Sequence, residues 1–430
     1  MPASRILIKE RLFLRNEECH RIGHAASNIV LRICAGLVFI FAGMSFMPAM
    51  ASPDKSPDRI VAVGDVHGDF NSLSLILRRA GLVDELNRWD GGNATLVQTG
   101  DLIDRGPKGR EAMDLLIWLE KDAAKAGGQV VPLLGNHEVM NILGDLRYVP
   151  AQSYAAFADG ESEKRRRAAC REYAAWAASH PKWLVAIKKP AMATTAGDWM
   201  AGHPAGFVEY RDAFGPSGKY GKWVRQHATV VKIGGVVFLH GGIPPSLISS
   251  SIEQMNSQVR EEIENFDKTV QELVTRKVIL PFFTIQEIAV AVQGELLDES
   301  TTATPPNADF HSKLVRLLDF NNWLCMRDEG PLWFRGYDTW SEEEGEPQIH
   351  KILAAHTAAH IVVAHTVQNP TRIRMRFGGK VFLIDTGMFS TYWPGGRASA
   401  LDIRAGKFTA QYMDGQEVLL EEKLPTQARE

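Results

Sequence analysis

Apolar residues in this chain fall into short runs that end abruptly, and each ending has the same form. Arg59-Ile-Val-Ala-Val-Gly-Asp-Val-His-Gly68, Leu96-Val-Gln-Thr-Gly-Asp-Leu-Ile-Asp-Arg-Gly106 and Val130-Val-Pro-Leu-Leu-Gly-Asn-His-Glu138 each pass through a glycine to a residue that can bind a metal. Short runs rich in Val, Ile and Leu predict buried strands of a parallel sheet. Between them, Leu73–Leu82 and Gly109–Ala126 carry apolar residues at helical spacing, with Met113, Leu116 and Ile117 against an Ala-rich back. The unit is therefore β-α-β-α-β. Its right-handed crossovers put all three strand C-termini on one edge, where open α/β sheets bind ligands. Loops at that edge would gather Asp65, His67, Asp101, Asp104, Arg105, Asn136 and His137.

The pattern changes after residue 140. Residues 141–190 are alanine-rich with helical periodicity, and 249–310 read as a long charged helix, a second helix and a polar stretch, so both regions are expected to be helical insertions. Gly234–Ile243 repeats the sequence of apolar strand, ligand and glycine, with His240 at the strand end. Arg335 lies among apolar residues in Gly330–Gly336. In a core strand it would need a partner, either a phosphate or a carboxylate such as Asp338. Ile352–His360 predicts a short helix with His356 and His360 on its surface, feeding a strand 361–364 that ends at His365. Arg372–Phe377 with Lys380–Ile384, and Ala400–Met413, read as hairpins, and 416–430 as a polar tail.

Composition adds three constraints. With 430 residues, 45% hydrophobic and 23% charged, the chain can fill one large catalytic domain over 59–415. A net charge of −3 gives no reason to expect nucleic acid as a partner. Residues 1–51 differ from the rest: six basic residues precede an apolar run that closes on Ala49-Met-Ala51 before Ser52, the form of a cleaved signal peptide. Export to the periplasm is expected, with a short linker at 52–58. The alternative is an uncleaved anchor, which would be the chain's one link to a membrane. Cleavage would leave Cys170 and Cys325 where disulfides can form, and a bridge or two separate buried thiols are both open.

The strand-end residues also constrain the chemistry. Asp and Asn oxygens mixed with imidazole suit Mn, Fe or Zn better than Mg or Ca. Asp101, flanked by other ligand groups, could bridge two ions at the ~3.5–4 Å spacing of two-metal hydrolases. Arg105 beside it is a candidate clamp, because guanidinium can hold two phosphate oxygens at once.

Gly64–Gly68, Gly100–Gly106 and Gly135–Glu138 together resemble the three motifs of the phosphoprotein phosphatase branch of the calcineurin-like metallophosphoesterases. Leu239–Gly242, Gly330–Gly336 and Ala364–Thr366 resemble the bacterial-type, Shewanella-like subgroup, with Ala364 where that subgroup usually has glycine. The resemblance implies an α/β fold, a four-layer α/β/β/α sandwich of two mixed sheets flanked by helices. It implies two divalent cations, manganese ahead of iron or zinc, the first held by Asp65, His67 and Asp101, the second by Asp101, Asn136, His240 and His365. Arg105 and Arg335 would bind phosphate oxygens, and His137, oriented by Asp104, would protonate the leaving group. The implied substrate is a phosphoprotein, at tyrosine and/or serine/threonine, or a phosphorylated small molecule. A dinucleoside-polyphosphate hydrolase would share the metal motifs, although Asp104 and Glu138 favour the protein phosphatase pattern. A broad phosphate-scavenging phosphatase would also suit export.

Overall fold

Strand β1 (Ile60–Val63) is buried at all four positions, and its side chains alternate between two cores. In the computed structural model, which describes residues 57–180, 192–193, 195–301 and 307–422, Val61 and Val63 pack with the flanking helices while Ile60 and Ala62 face a second sheet. Helix α1 (Phe70–Arg79) leads to β2 (Thr95–Gln98), and α2 (Gly109–Lys125) leads to β3 (Gln129–Pro132). β1 pairs with β2 and β2 with β3, both in parallel, as the strand–helix alternation requires.

Helix α3 (Asn136–Leu143) follows at once and opens the first insertion: α4 (Ala151–Phe157), α5 (Ser162–Ser179), α6 (Ala196–Gly202), α7 (Phe207–Phe214) and α8 (Lys219–Val224). The helical region thus runs on to Val224, past the expected limit at 190. Next come β4 (Val230–Ile233) and β5 (Val236–Leu239), then the second insertion of α9 (Ile252–Thr275), α10 (Ile285–Thr301) and α11 (Ala308–Leu318). Helix α9 starts where Ser251 and Gln254 cap each other reciprocally: Ser251 Oγ accepts from Gln254 N at 3.1 Å and Gln254 Oε1 from Ser251 N at 2.7 Å.

The chain closes with α12 (Gly336–Thr339), α13 (Glu342–Ala355), β6 (His360–Val363), β7 (Arg374–Arg376), β8 (Val381–Leu383), β9 (Ser399–Arg404), β10 (Lys407–Tyr412) and β11 (Gly415–Glu421). The sheets have strand orders β11-β10-β9-β1-β2-β3 and β4-β5-β6-β8-β7. Both mix parallel and antiparallel pairs, as expected. Ile60, Ala62, Phe238, Val362, Phe382, Leu401 and Phe408 fill the layer between them.

Three local expectations are corrected, and the alternative left open for the two cysteines is decided. The supposed tail begins with β11, which pairs antiparallel with β10; its largely exposed side chains hide an edge strand from a reading based on burial pattern. Helix α13 stops at Ala355, and Thr357 turns left-handed (φ 49°), so His360 opens β6 instead of lying on a helix. His356 and His360 are buried, and His360 bonds the Gly379 carbonyl at 2.8 Å. Residues 330–335 form turns, not a core strand, and Arg335 is exposed. Asp338 pairs with Arg374 at 3.4 Å, not with Arg335. Cys170 and Cys325 are buried and unbridged. The expected leader at 1–51 lies outside the described residues, among which no helix is long and apolar enough to cross a membrane.

Phe382 of β8 and Phe408 of β10 stack across the layer, with centroids 4.6 Å apart and planes 4° from parallel. Phe408→Ala should therefore lower the unfolding free energy by about 3–5 kcal/mol in urea titrations. A loss below about 1 kcal/mol would mean that this contact does not hold the sheets together.

Candidate metal centre

The ends of β1, β2, β3, β5 and β6 meet around one atom. His240 Nδ1 lies 2.9 Å from the Thr99 carbonyl. A carbonyl only accepts, so Nδ1 carries a proton, and in the neutral ring Nε2 presents a lone pair. That Nε2 faces Asn136 Oδ1 at 2.9 Å, His365 Nδ1 at 3.1 Å and Asp101 Oδ2 at 3.3 Å. His67 repeats the arrangement: Nδ1 bonds the Ile103 carbonyl at 3.1 Å, leaving Nε2 3.7 Å from both Asp65 Oδ2 and Asp101 Oδ2. Two sets of electron pairs thus converge, with Asp101 in both, and a cation at each would turn repulsion into coordination. Among the described residues, His365 Nε2 has no hydrogen-bond partner. The donor atoms of Asp101, His240 and His365 lie within 4.8 Å of one another, as do those of His67, Asp101 and His137. All six residues expected to bind metal are brought together, and they fit the group.

Such convergence distorts the loops. His67, Asp101, Asp104, Arg105 and His365 all have left-handed backbones, with φ between 48° and 68°, a conformation costly for side-chain-bearing residues and held only by surrounding structure. Glu138 supplies much of the hold. It is buried on the first turn of α3 and accepts from Asp101 N at 2.7 Å, Leu102 N at 2.9 Å and Gly135 N at 2.9 Å. The β2 and β3 loops touch so closely that a Cβ at Gly100 would collide with the Gly135 backbone, and one at Gly135 with Asp101. Asp65 Oδ1 accepts from His365 N at 3.1 Å, linking the two sheets at the site.

The remaining expected residues surround this centre. His137 Nδ1 bonds Asp104 Oδ2 at 2.7 Å, and its Nε2 lies 3.4 Å from the Arg105 guanidinium. Arg105 is held between the rings of Tyr392 and Tyr148, with its guanidinium carbon 4.0 and 4.6 Å from their centroids. Arg335 reaches the site from the exposed side, with Nη1 2.9 Å from both the His365 carbonyl and Thr366 Oγ1. Buried Arg376 fixes the segment that follows Arg335 by bonding the carbonyls of Tyr337 (2.7 Å), Asp338 (3.0 Å) and Trp340 (2.7 Å).

The charges follow the burial. Burial, with Asp385 and Asp101 adding to it, pushes the Asp65 carboxyl well above its ordinary range. Burial lowers His67 to about 3, aided by His137, and lowers His365 well below the usual imidazole range, aided by His240. Burial also opposes charge on Asp101, but His240 and His137 outweigh it and hold Asp101 well below the usual range. For His137 burial is outweighed by Asp101 and Asp104, which raise its pKa. Neutral imidazoles beside an ionised Asp101 are the ligand forms that a divalent cation requires.

Three contributors were not foreseen. Asp385 is buried beside Asp65, and burial pushes it up to about 6. It follows β8 and Ile384, so the strand-end rule that found the other residues could have found it. Tyr148 and Tyr392 carry no comparable signal, because each lies in a loop and meets Arg105 only through the tertiary fold.

Residues 58–369 match the calcineurin-like phosphoesterase family. Shewanella-like protein phosphatase 1 of Plasmodium berghei is 26% identical over 339 residues, covering 78% of this chain and 68% of the relative. Shewanella-like protein phosphatase 2 of Arabidopsis thaliana is 32% identical over 227 residues, covering 49% of this chain and 53% of the relative. The solved cold-active protein-tyrosine phosphatase of a psychrophilic Shewanella is 25% identical with a TM-score of 0.53, covering 84% of this chain and 80% of its own.

Removing the Glu138 carboxylate would leave three buried N–H groups without an acceptor. Glu138→Ala should lower stability by at least about 1–3 kcal/mol and reduce the metal bound per chain, read by thermal unfolding and elemental analysis. Wild-type stability and metal content in this variant would show that the loops do not depend on it.

Proposed function

The chain belongs to the calcineurin-like phosphoesterase family and is a phosphatase acting on phosphoric monoesters, and on that premise we propose that it is a binuclear-metal protein phosphatase. The supporting observation is the convergence of His67 Nε2 and His240 Nε2 on Asp101 Oδ2 from two sides. Asp65, His67 and Asp101 would hold one divalent cation, and Asp101, Asn136, His240 and His365 the other, with manganese preferred to iron or zinc. Bound cations would supply positive charge for phosphate oxygens and lower the pKa of an attacking water from about 15.7 toward about 7.

The chain's own residues do the rest. Arg105, fixed by its two tyrosines, and Arg335, fixed through Nη1, would each direct N–H groups at non-bridging phosphate oxygens, where negative charge accumulates during transfer. His137 would give its Nε2 proton to the leaving oxygen while Asp104 accepts from Nδ1, fixing the ring and favouring its charged form. Relatives named protein phosphatases support a phosphoprotein substrate, and we infer phosphorylation on tyrosine and/or serine/threonine. The deciding experiment strips the metal, restores Mn, Fe or Zn, and compares phosphopeptides with diadenosine tetraphosphate. Faster turnover of the nucleotide would replace this reading with a dinucleoside-polyphosphate hydrolase.

Asp101→Asn removes a negative charge shared by both proposed cations. It should lose at least one metal per chain and nearly all turnover; two metals with full activity would rule out a bridging role.

His137→Asn tests the proton donor. Metals should stay bound, because Nε2 of this ring is assigned to the substrate. The cost should be about 10²–10⁴-fold in kcat on phosphopeptides and much smaller on p-nitrophenyl phosphate, whose leaving group departs unprotonated. Loss of metal would instead make His137 a ligand, a role its position near His67 and Asp101 also permits.

A further inference from the structure

The first helical insertion reaches the proton-donating end of this site through Tyr210. Tyr210 of α7 is buried, and its hydroxyl donates to Asn141 Oδ1 at 2.6 Å. Asn141 lies one turn after His137 on α3 and is fully buried. Its Nδ2 donates to both Asp104 oxygens at 3.0 Å and to the His137 carbonyl at 2.9 Å. Asp104 in turn meets His137 Nδ1 at 2.7 Å.

The direction of every bond in this series is dictated by chemistry. An ionised carboxylate only accepts, so Asn141 must turn its NH2 group to Asp104 and its oxygen to Tyr210, and Tyr210 must then be the donor. Burial, reinforced by the Asp104 charge, pushes the Tyr210 phenol well above its ordinary range, so it keeps the proton it donates. Three rings fix the phenol in place: Phe214 at 4.7 Å, Phe157 at 5.0 Å and Tyr154 at 5.2 Å between centroids. The adjacent Arg211 ties α7 to the Asn141 carbonyl at 3.4 Å and to the Phe283 carbonyl at 3.1 Å.

We propose that Tyr210, acting through Asn141 and Asp104, is a positioning residue for His137, so that the insertion 151–224 is part of the apparatus that aims the proton at the leaving oxygen. The inference rests on His137 being the proton donor. Without the hydroxyl, Asn141 Oδ1 loses its donor in a buried site, the amide and the carboxylate can turn, and the imidazole loses its fixed direction. Metal ligands and phosphate clamps are not touched.

The test uses full-length, metal-loaded protein. Tyr210→Phe keeps the ring and removes only the hydroxyl. On a phosphopeptide its kcat should fall about tenfold, the scale on which outer partners of a functional histidine act, with KM and metal content unchanged. On p-nitrophenyl phosphate kcat should be unchanged. Asn141→Ser breaks the same link from its other end and should give the same discrimination. It decides the matter if Tyr210→Phe fails to fold. Phe157→Leu loosens the packing around the ring without altering a hydrogen bond, so it should lower Tm and leave the ratio of the two rates alone. In a His137→Asn background, Tyr210→Phe should cost nothing more, because residues acting through one group are not additive. Equal slowing on both substrates, no slowing, or an additive loss in the double variant would overturn the inference while leaving His137 as the donor. If His137→Asn itself shows no preference between leaving groups, the underlying reading of His137 is what fails.

Discussion

The strand-end site is arranged around nitrogen and oxygen atoms that face one another at close range. His240 Nε2, Asn136 Oδ1 and Asp101 Oδ2 point to one place and are buried. Water cannot screen them there, and the carboxylate and amide oxygens have no proton to offer the ring. A cation would turn the convergence into coordination, and the geometry is held ready for it. That readiness explains the left-handed backbones at five site residues and the carboxylate of Glu138 spanning two loops.

The support extends outward in layers. Arg376 and Tyr337 brace the segments next to Arg335 and His240; the Tyr337 hydroxyl lies 3.0 Å from both the N–H and the carbonyl of Ile243. The second insertion contributes Glu262, a buried carboxylate on α9 that accepts from Leu324 N at 2.9 Å and Cys325 N at 3.0 Å and tethers the approach to Arg335. Both insertions therefore send polar side chains toward the residues proposed to bind phosphate and donate the proton. The two arginines are treated differently: Arg105 is confined by aromatic faces, whereas Arg335 stays exposed and is anchored at one nitrogen.

Most of the proposed ligands were legible in the sequence because they obey a local rule. A parallel strand buried on both sides must end where its apolar run ends, and the next residues must lie on the binding edge. Asp65, Asp101, Asn136, His240 and His365 all follow that rule, and Asp385 follows it too although it went unread. The rule fails where burial is one-sided or absent. Strand β11 carries mostly exposed side chains and reads as a tail, yet its backbone pairs with β10. His360 is spaced like a helix residue, but the helix ends five residues before its strand begins.

By itself the sequence determined the β-α-β-α-β unit and the edge that gathers the candidate ligands, because strand periodicity and strand ends are properties of contiguous residues; the four-layer fold came from the family resemblance of its motifs. The tertiary structure alone decided which atom of each imidazole faces the centre, since that depends on the carbonyls of Thr99 and Ile103 reaching the other nitrogen. It also decided that Arg335 is exposed and bound to the turn after β6, and that Tyr148 and Tyr392 enclose Arg105. The bond from Tyr210 to Asn141 spans 69 positions. No periodicity carries such a contact, because it exists only once an insertion has folded back onto the sheet edge it interrupts.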